Sequence, residues 1–215
     1  MRQVVGKTTF DLDAAAFAAL RAGHAGLVLD LGTGDGKHVL TEARRRPDTL
    51  VVGLDAGPDA MRRAAARATV RPDRGGVPNA LFVWASVERL PAELTGVTEV
   101  HSLMPWGSLL RALVTPERAV LAAVAAACQP GAPFLLTLNL HAWRPPVPEV
   151  GGTSEPTPSS VEGSLAFAYR RAGWTVESAG YLDDAQIADL GTSWTKRLGS
   201  TRSSLSVLAL RGRIG

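Results

Sequence analysis

The sequence predicts a single α/β domain spanning 1–215, built on a mostly parallel, seven-stranded sheet with helices on both faces. Three observations lead there. Apolar runs of strand length recur along the chain, helical segments separate them, and the first run empties into a glycine-rich turn. Continuous apolar runs suit strands covered on both faces. Repeated strand–helix alternation makes such strands parallel.

The first five strands are read at 27–32 "LVLDLG", 50–56 "LVVGLDA", 80–86 "ALFVWAS", 99–105 "EVHSLMP" and 133–140 "PFLLTLNL". Helices are predicted over Lys37–Arg46, Pro58–Ala68, Gly107–Val114 and Pro116–Cys128. The last is read with Thr115 as its cap, Pro116 at its first position and "QPG" as its stop. The remainder reads as helix "SLAFAYRRAG", strand "WTVESAGYL", short helix "DDAQIADLG" and final strand "LSVLALRG". Between them, 144–160 "RPPVPEVGGTSEPTPSS" is rich in Pro, Gly and Ser and is expected to be an irregular, mobile loop. It follows the carboxyl end of a strand, the side on which open α/β sheets bind ligands; a lid and a plain connector both remain open for it.

Composition narrows the class. Of 215 residues, 46% are hydrophobic and 20% charged, which opposes wholesale disorder. No apolar run reaches the roughly 18 residues of a membrane span, and the start "MRQVVGKTTFDLD" is too polar for a secretory signal. The single cysteine, Cys128, is expected to be a buried small residue and offers no disulfide or metal cluster. A cytoplasmic protein with no metal and no membrane partner is expected. Net charge is only +3, yet arginines gather at 44–46 and at Arg62, Arg63, Arg67, Arg71 and Arg74, with Lys196, Arg197 and Arg202 near the end. Such clusters make the local field more positive than the total.

The glycine turn carries the first chemistry. Counting back from Gly36-Lys37 puts Leu31 where a P-loop needs glycine, and His38 where it needs Ser or Thr. A dinucleotide fingerprint needs glycine at Lys37. What remains is Asp30-x-Gly32-x-Gly34-x-Gly36. An acid before the turn repels a pyrophosphate and suits an ammonium group. Asp55 ends the next strand, placed to accept from ribose hydroxyls, and Glu88 follows the third strand beside an adenine. Ammonium, ribose and adenine together describe S-adenosylmethionine, and the pattern resembles the class I, Rossmann-like methyltransferase fold.

The fourth strand runs into "SLMPWGSLL". Methyltransferases acting on exocyclic amines carry Asp or Asn there; here stands Met104, followed by Pro105 and Trp106. That site suits a planar heterocycle attacked through a ring nitrogen whose lone pair is free at neutral pH, such as N1 of adenine. Catalysis then rests on alignment. Trp194 lies in "GTSWTKRLGSTRSS", and two rings sandwiching a flipped base contribute roughly 1–3 kcal/mol each. The neighbouring cations meet phosphates. Trp84, Trp143 and Trp174 are expected in the core.

The stretches "VVGK", "LDLGTGDGKH", "LMPWGSLLRA", "LNLHAWRPPVPEV" and "TSWTKRL" resemble the aminoglycoside-resistance 16S rRNA (adenine(1408)-N(1))-methyltransferases, the KamB-like kanamycin–apramycin resistance enzymes, nearly end to end. The resemblance implies methylation of N1 of adenine 1408 in helix 44 of the 30S subunit, by a protein expected to be a monomer. It places the cofactor pocket on Asp30, Gly32, Gly34, His38, Asp55, Val87, Glu88, Leu103 and Ser108, with Thr192 and Ser193 shaping it. It makes Trp106 and Trp194 the stacking pair and turns the Pro105 carbonyl to the adenine amino group. It gives RNA contacts to Arg62, Arg63, Arg67, Arg71, Lys196, Arg197 and Arg202, and a small hairpin to residues 1–12. Ser204 departs from the pattern, which has a basic residue there. Two alternatives stand beside this reading. One is a class I enzyme methylating a small natural product with His101 or His141 as base; the other is an RNA-gripping cofactor-binding protein with little transferase activity.

Overall fold

Residues 1–144, 149–150, 152–192 and 206–215 are described in a computed structural model. They form two compact units, Met1–His101 and Ser102–Gly215.

The first unit begins with the hairpin β1 (Arg2–Val5) and β2 (Thr8–Asp11), then α1 (Ala14–Ala22), β3 (Gly26–Leu31), α2 (Lys37–Arg45), β4 (Thr49–Asp55), α3 (Pro58–Ala68), β5 (Ala80–Trp84) and β6 (Glu99–Leu103), whose last two residues pass into the second unit. The strand order is β2-β1-β5-β4-β3-β6. β3 pairs in parallel with β4 and β6, and β4 with β5. Leu27, Val28, Leu29, Val51, Val52 and Val83 are fully buried, as two-sided cover requires. α3 buries Met61, Ala64, Ala65 and Ala68, a single helical stripe that leaves its arginines outside. The hairpin joins the sheet edge, with Gln3 opposite Val83, and the Arg2 guanidinium lies 4.0 Å over the Trp84 ring.

Helix α1 is absent from the sequence reading. Asp13 caps it, accepting from the Ala16 N–H at 2.7 Å, but Phe17 is its one buried residue, so its alanines carry no periodic apolar signal.

The second unit holds α4 (Gly107–Val114), α5 (Arg118–Ala127), β7 (Ala132–Asn139), a helical segment made of α6 (Pro158–Ser160), a π-helical turn (Val161–Leu165) and α7 (Ala166–Arg170), then β8 (Trp174–Tyr181), α8 (Asp184–Asp189) and β9 (Val207–Ile214). Its strands run β7-β9-β8, all antiparallel. Nine strands are described: the seven predicted and the hairpin pair.

Several expectations are corrected. α5 starts at Arg118 rather than Pro116, because Thr115 closes α4, its N–H reaching the Arg111 carbonyl at 2.9 Å. The loop read over 144–160 is irregular only to Thr157: Thr157 and Ser160 form a capping box that starts α6. Residues 145–148 and 151 lie outside the described residues. The rest is tied down, Arg144 donating to Glu155 at 2.9 and 2.7 Å and the Trp143 indole to Thr153 at 3.0 Å. Trp174 is buried, as expected; Trp84 and Trp143 are only half-buried, because each indole N–H takes a partner at the edge of the core. Cys128 is half-buried at the end of α5, and partial burial pushes its thiol up to about 12. Among the described residues no helix is long and apolar enough to cross a membrane.

Asn79, buried just before β5, shares the two N–H groups of its amide among the carbonyls of Ala43, Arg46 and Thr49 at 2.8, 3.0 and 2.8 Å. It satisfies the end of α2 and ties it to β4. Asn79→Ala is expected to cost about 2–3 kcal/mol in denaturant unfolding, because buried carbonyls lose their donor.

Candidate functional site

The turn between β3 and α2 is held by β4. The N–H groups of Gly32 and Thr33 donate to the Leu54 carbonyl at 2.9 and 3.1 Å. The Asp55 carboxylate accepts from Gly34 N–H at 2.9 Å and from Gly57 N–H at 2.8 Å, one on each oxygen. An ionised carboxylate offers about four lone-pair sites, so each oxygen keeps capacity for a ligand hydroxyl. Gly36 has φ +71°, and a Cβ there would stand 2.3 Å from a ring carbon of Phe82. Only glycine satisfies both the left-handed backbone and that contact.

Asp30 is 2% exposed and sits opposite His101 in the β3–β6 register, so both side chains share one face of the sheet. Burial pushes the Asp30 carboxyl above its ordinary range; His38, Thr33 and His101 work against that, and Asp55 adds to it. His38, in the first turn of α2, is buried, with its Nε2 2.9 Å from His101 Nδ1. His101 Nε2 lies 2.9 Å from Glu99, which also accepts from Arg46 at 2.6 Å. The hydrogen bond from His101, with Arg46 adding to it, holds Glu99 down to about 2 against its partial burial. These contacts commit His101 to a polar chain and count against its use as a general base.

After β5, Val87 is buried in a short 3-10 turn (Val87–Arg89) that leaves Glu88 exposed. In the second unit Leu103 ends β6, and Met104 then turns with φ +51°, the one positive φ among the described non-glycine residues. Its N–H donates to the carbonyl and hydroxyl of Thr137 at 2.9 and 3.0 Å. A buried side chain in this conformation stores on the order of 1–3 kcal/mol, the kind of strain found at functional turns. Nothing in the residue type signals it. Pro105 is buried, and Trp106 occupies the cap position of α4 with 42% of its surface exposed. Ser108 is exposed on the first turn of α4, and Thr192 is buried. Ser193, Trp194, Lys196, Arg197, Arg202 and Ser204 lie outside the described residues.

Arg62, Arg63 and Arg67 are exposed on α3, and Arg71 just beyond it. The positive field is thinner than the count suggests: Arg62 pairs with Asp59 at 2.9 Å and Arg71 with Asp73 at 3.2 Å. From the 44–46 cluster, Arg46 is spent on Glu99.

Residues 2–213 match the family described as NpmA: 16S rRNA (adenine(1408)-N(1))-methyltransferase. The chain is also 51% identical over 214 residues to the 16S rRNA (adenine(1408)-N(1))-methyltransferase of Streptoalloteichus hindustanus, covering 100% of this chain and 99% of that protein. The chain belongs to this family. Its fold agrees with the crystal structure of the 16S rRNA methyltransferase KamB, at TM-score 0.95 and 51% identity with both chains fully covered. A Catenulisporales acidiphilia family member, solved as a tryptophan-to-alanine variant with cosubstrate SAM, matches at TM-score 0.91 and 34% identity, covering 100% of this chain and 96% of that one. The class I methyltransferase fold read from the glycine turn is therefore the fold of this chain, and the methyltransferases of this family are its kin.

The low-lying Glu99 makes stability depend on acid. Its folded pKa is depressed, so its contribution is complete above the ordinary value of 4.5 and is lost as pH falls toward about 2. Glu99→Gln is expected to cost on the order of 2 kcal/mol at neutral pH, after discounting for partial exposure, and almost nothing near pH 2. Thermal unfolding of both proteins across that pH range checks it.

Proposed function

We propose that this chain transfers the methyl group of S-adenosylmethionine to N1 of adenine 1408 in helix 44 of 16S rRNA, in the 30S subunit, and thereby protects ribosomes from kanamycin and apramycin. The observation that carries this reading is the exposed Trp106 indole presented directly after the strained Met104 turn, in a chain of this family. A large aromatic surface left in solvent at a rigid turn is suited to stacking on a planar base.

The residues of the first unit fit the cofactor. The buried carboxylate of Asp30 calls for a cationic partner, matching the ammonium group, and Asp55 keeps lone pairs for ribose hydroxyls. S-adenosylmethionine supplies the electrophilic methyl group when bound. Trp106 and Trp194 hold the adenine between two rings, and the Pro105 carbonyl accepts from its amino group. N1 carries an unprotonated lone pair at neutral pH, so no side chain need remove a proton before attack. The chain's task is alignment and exclusion of water. The new N–C bond forms as the C–S bond breaks, and the positive charge passes from sulfur to the purine. The cations of α3, with Lys196, Arg197 and Arg202, meet the phosphates that surround the flipped base.

Expression in a sensitive bacterium, with primer extension on its 16S rRNA, tests the assignment: tolerance to kanamycin and apramycin and a stop at adenine 1408 are expected. Sensitivity without a stop overturns it. Trp106→Ala and Trp194→Ala are each expected to abolish the stop while leaving cofactor affinity within about twofold, since stacking energy is spent on the base. Binding to isolated 30S subunits is expected to weaken steeply with salt, and Arg63→Ala with Arg67→Ala to lower the log–log slope by about 2.

A further inference from the structure

The polar chain beneath the glycine turn has a charge deficit. Along it lie Arg46, Glu99, His101, His38 and Asp30, all in the first unit. Arg46 balances Glu99, and the ionisable groups that act on the buried Asp30 carboxyl are the two imidazoles and Asp55. Asp55, the other acid facing Asp30, is occupied by the backbone N–H groups of Gly34 and Gly57 and brings no positive charge. An uncompensated charge in the interior costs several kcal/mol.

Hydrogen-bond chemistry limits what the imidazoles can do. An ionised Glu99 only accepts, so His101 carries hydrogen on Nε2. His101 Nδ1 and His38 Nε2 then face each other at 2.9 Å, a gap that holds one hydrogen and not two. The pair therefore takes up at most one extra proton. With the pair neutral, His38 donates to His101. With the extra proton, His101 Nε2 and His38 Nδ1 each carry hydrogen, one more lies between the rings, and the pair bears a single positive charge next to Asp30. The Glu99–Arg46 end is a quarter to a third exposed, which opens the chain to solvent.

We propose that the His38–His101 pair holds one proton as a counter-charge for Asp30 and releases it when the cofactor's ammonium group takes that place. His38, His101 and Glu99 are then positioning residues: they keep Asp30 ionised without a ligand and yield to the ligand's charge. The inference rests on the reading that Asp30 receives the ammonium group of S-adenosylmethionine. The balance is simple: the ammonium arrives, one proton leaves the imidazole pair for solvent, and no covalent bond to carbon changes.

Titration calorimetry of the full chain with S-adenosylmethionine, in buffers of different ionisation enthalpy between about pH 6 and 8, reads the proton directly. Release of up to about one proton per cofactor bound is expected. A double variant, His38→Gln with His101→Gln, keeps a donor and an acceptor at each position but cannot hold the extra proton. It is expected to bind about tenfold more weakly, with no release. 5′-Methylthioadenosine, which lacks the amino-acid end, is expected to release none from the wild type. Imidazole ¹⁵N shifts in the wild type give a reading that needs no variant: saturation with the cofactor is expected to convert the pair from cationic to neutral. Binding without proton release at any pH in the range, or release that persists in the double variant or with methylthioadenosine, overturns this inference alone. A wild type that does not bind S-adenosylmethionine overturns both it and the functional reading.

Discussion

Two backbone amides on one carboxylate decide the shape of the glycine turn. Asp55 ends β4 and takes Gly34 on one oxygen and Gly57 on the other, so the loop after β3 and the loop after β4 are fastened to the same group. Both strands stop where they do because this clamp, with the Leu54 carbonyl, consumes the first donors beyond β3. The close approach of Gly36 to Phe82 follows, since the turn must lie flat on β4 and β5 to reach Asp55. Charge-assisted bonds to backbone N–H are among the stronger ones available in a protein.

Behind that turn the first unit departs from the rule of an apolar interior. Its strands bury valine and leucine almost without interruption, yet one face also carries Asp30 and His101, and His38 of α2 meets them there. Polar groups this deep persist only when satisfied, and the chain out to Glu99 and Arg46 provides the partners. The second unit solves its interior differently. Trp174 packs against Phe134 with ring centroids 4.9 Å apart and planes tilted by 58°, and meets Tyr169 edge-on at 6.0 Å, with its indole N–H on the Leu121 carbonyl at 2.8 Å.

Much was legible in sequence, for identifiable reasons. The bounds of α3 and α4 match the reading because each has a periodic apolar stripe and a clear stop. β3 and β4 fall within a residue of it because buried parallel strands are continuous apolar runs. The family was readable from "MPWGSLL" and "TSWTKRL", whose composition no packing rule requires. Misses fall where a neighbouring element or an acceptor at the edge of the core overrides the local pattern. Thr115-Pro116 has the local form of a helix start, but the preceding helix claims Thr115 for its own end. The half-buried Trp84 and Trp143 look like core by hydrophobicity alone, and only their acceptors at Ala56 and Thr153 explain their places at the edge.

The sequence by itself determined the fold class, the helix-and-strand order apart from α1, and the acids at Asp30 and Asp55, because periodicity and the glycine spacing are local properties that the chain carries wherever it goes. Only the tertiary structure decided which groups those acids meet. That Asp55 is a clamp, that Met104 turns through a left-handed backbone, and that His38 and His101 share one hydrogen beneath Asp30 all depend on residues brought together across 21, 33 and 63 positions. Such long-range pairings are set by strand register and helix packing, which no short stretch of sequence encodes.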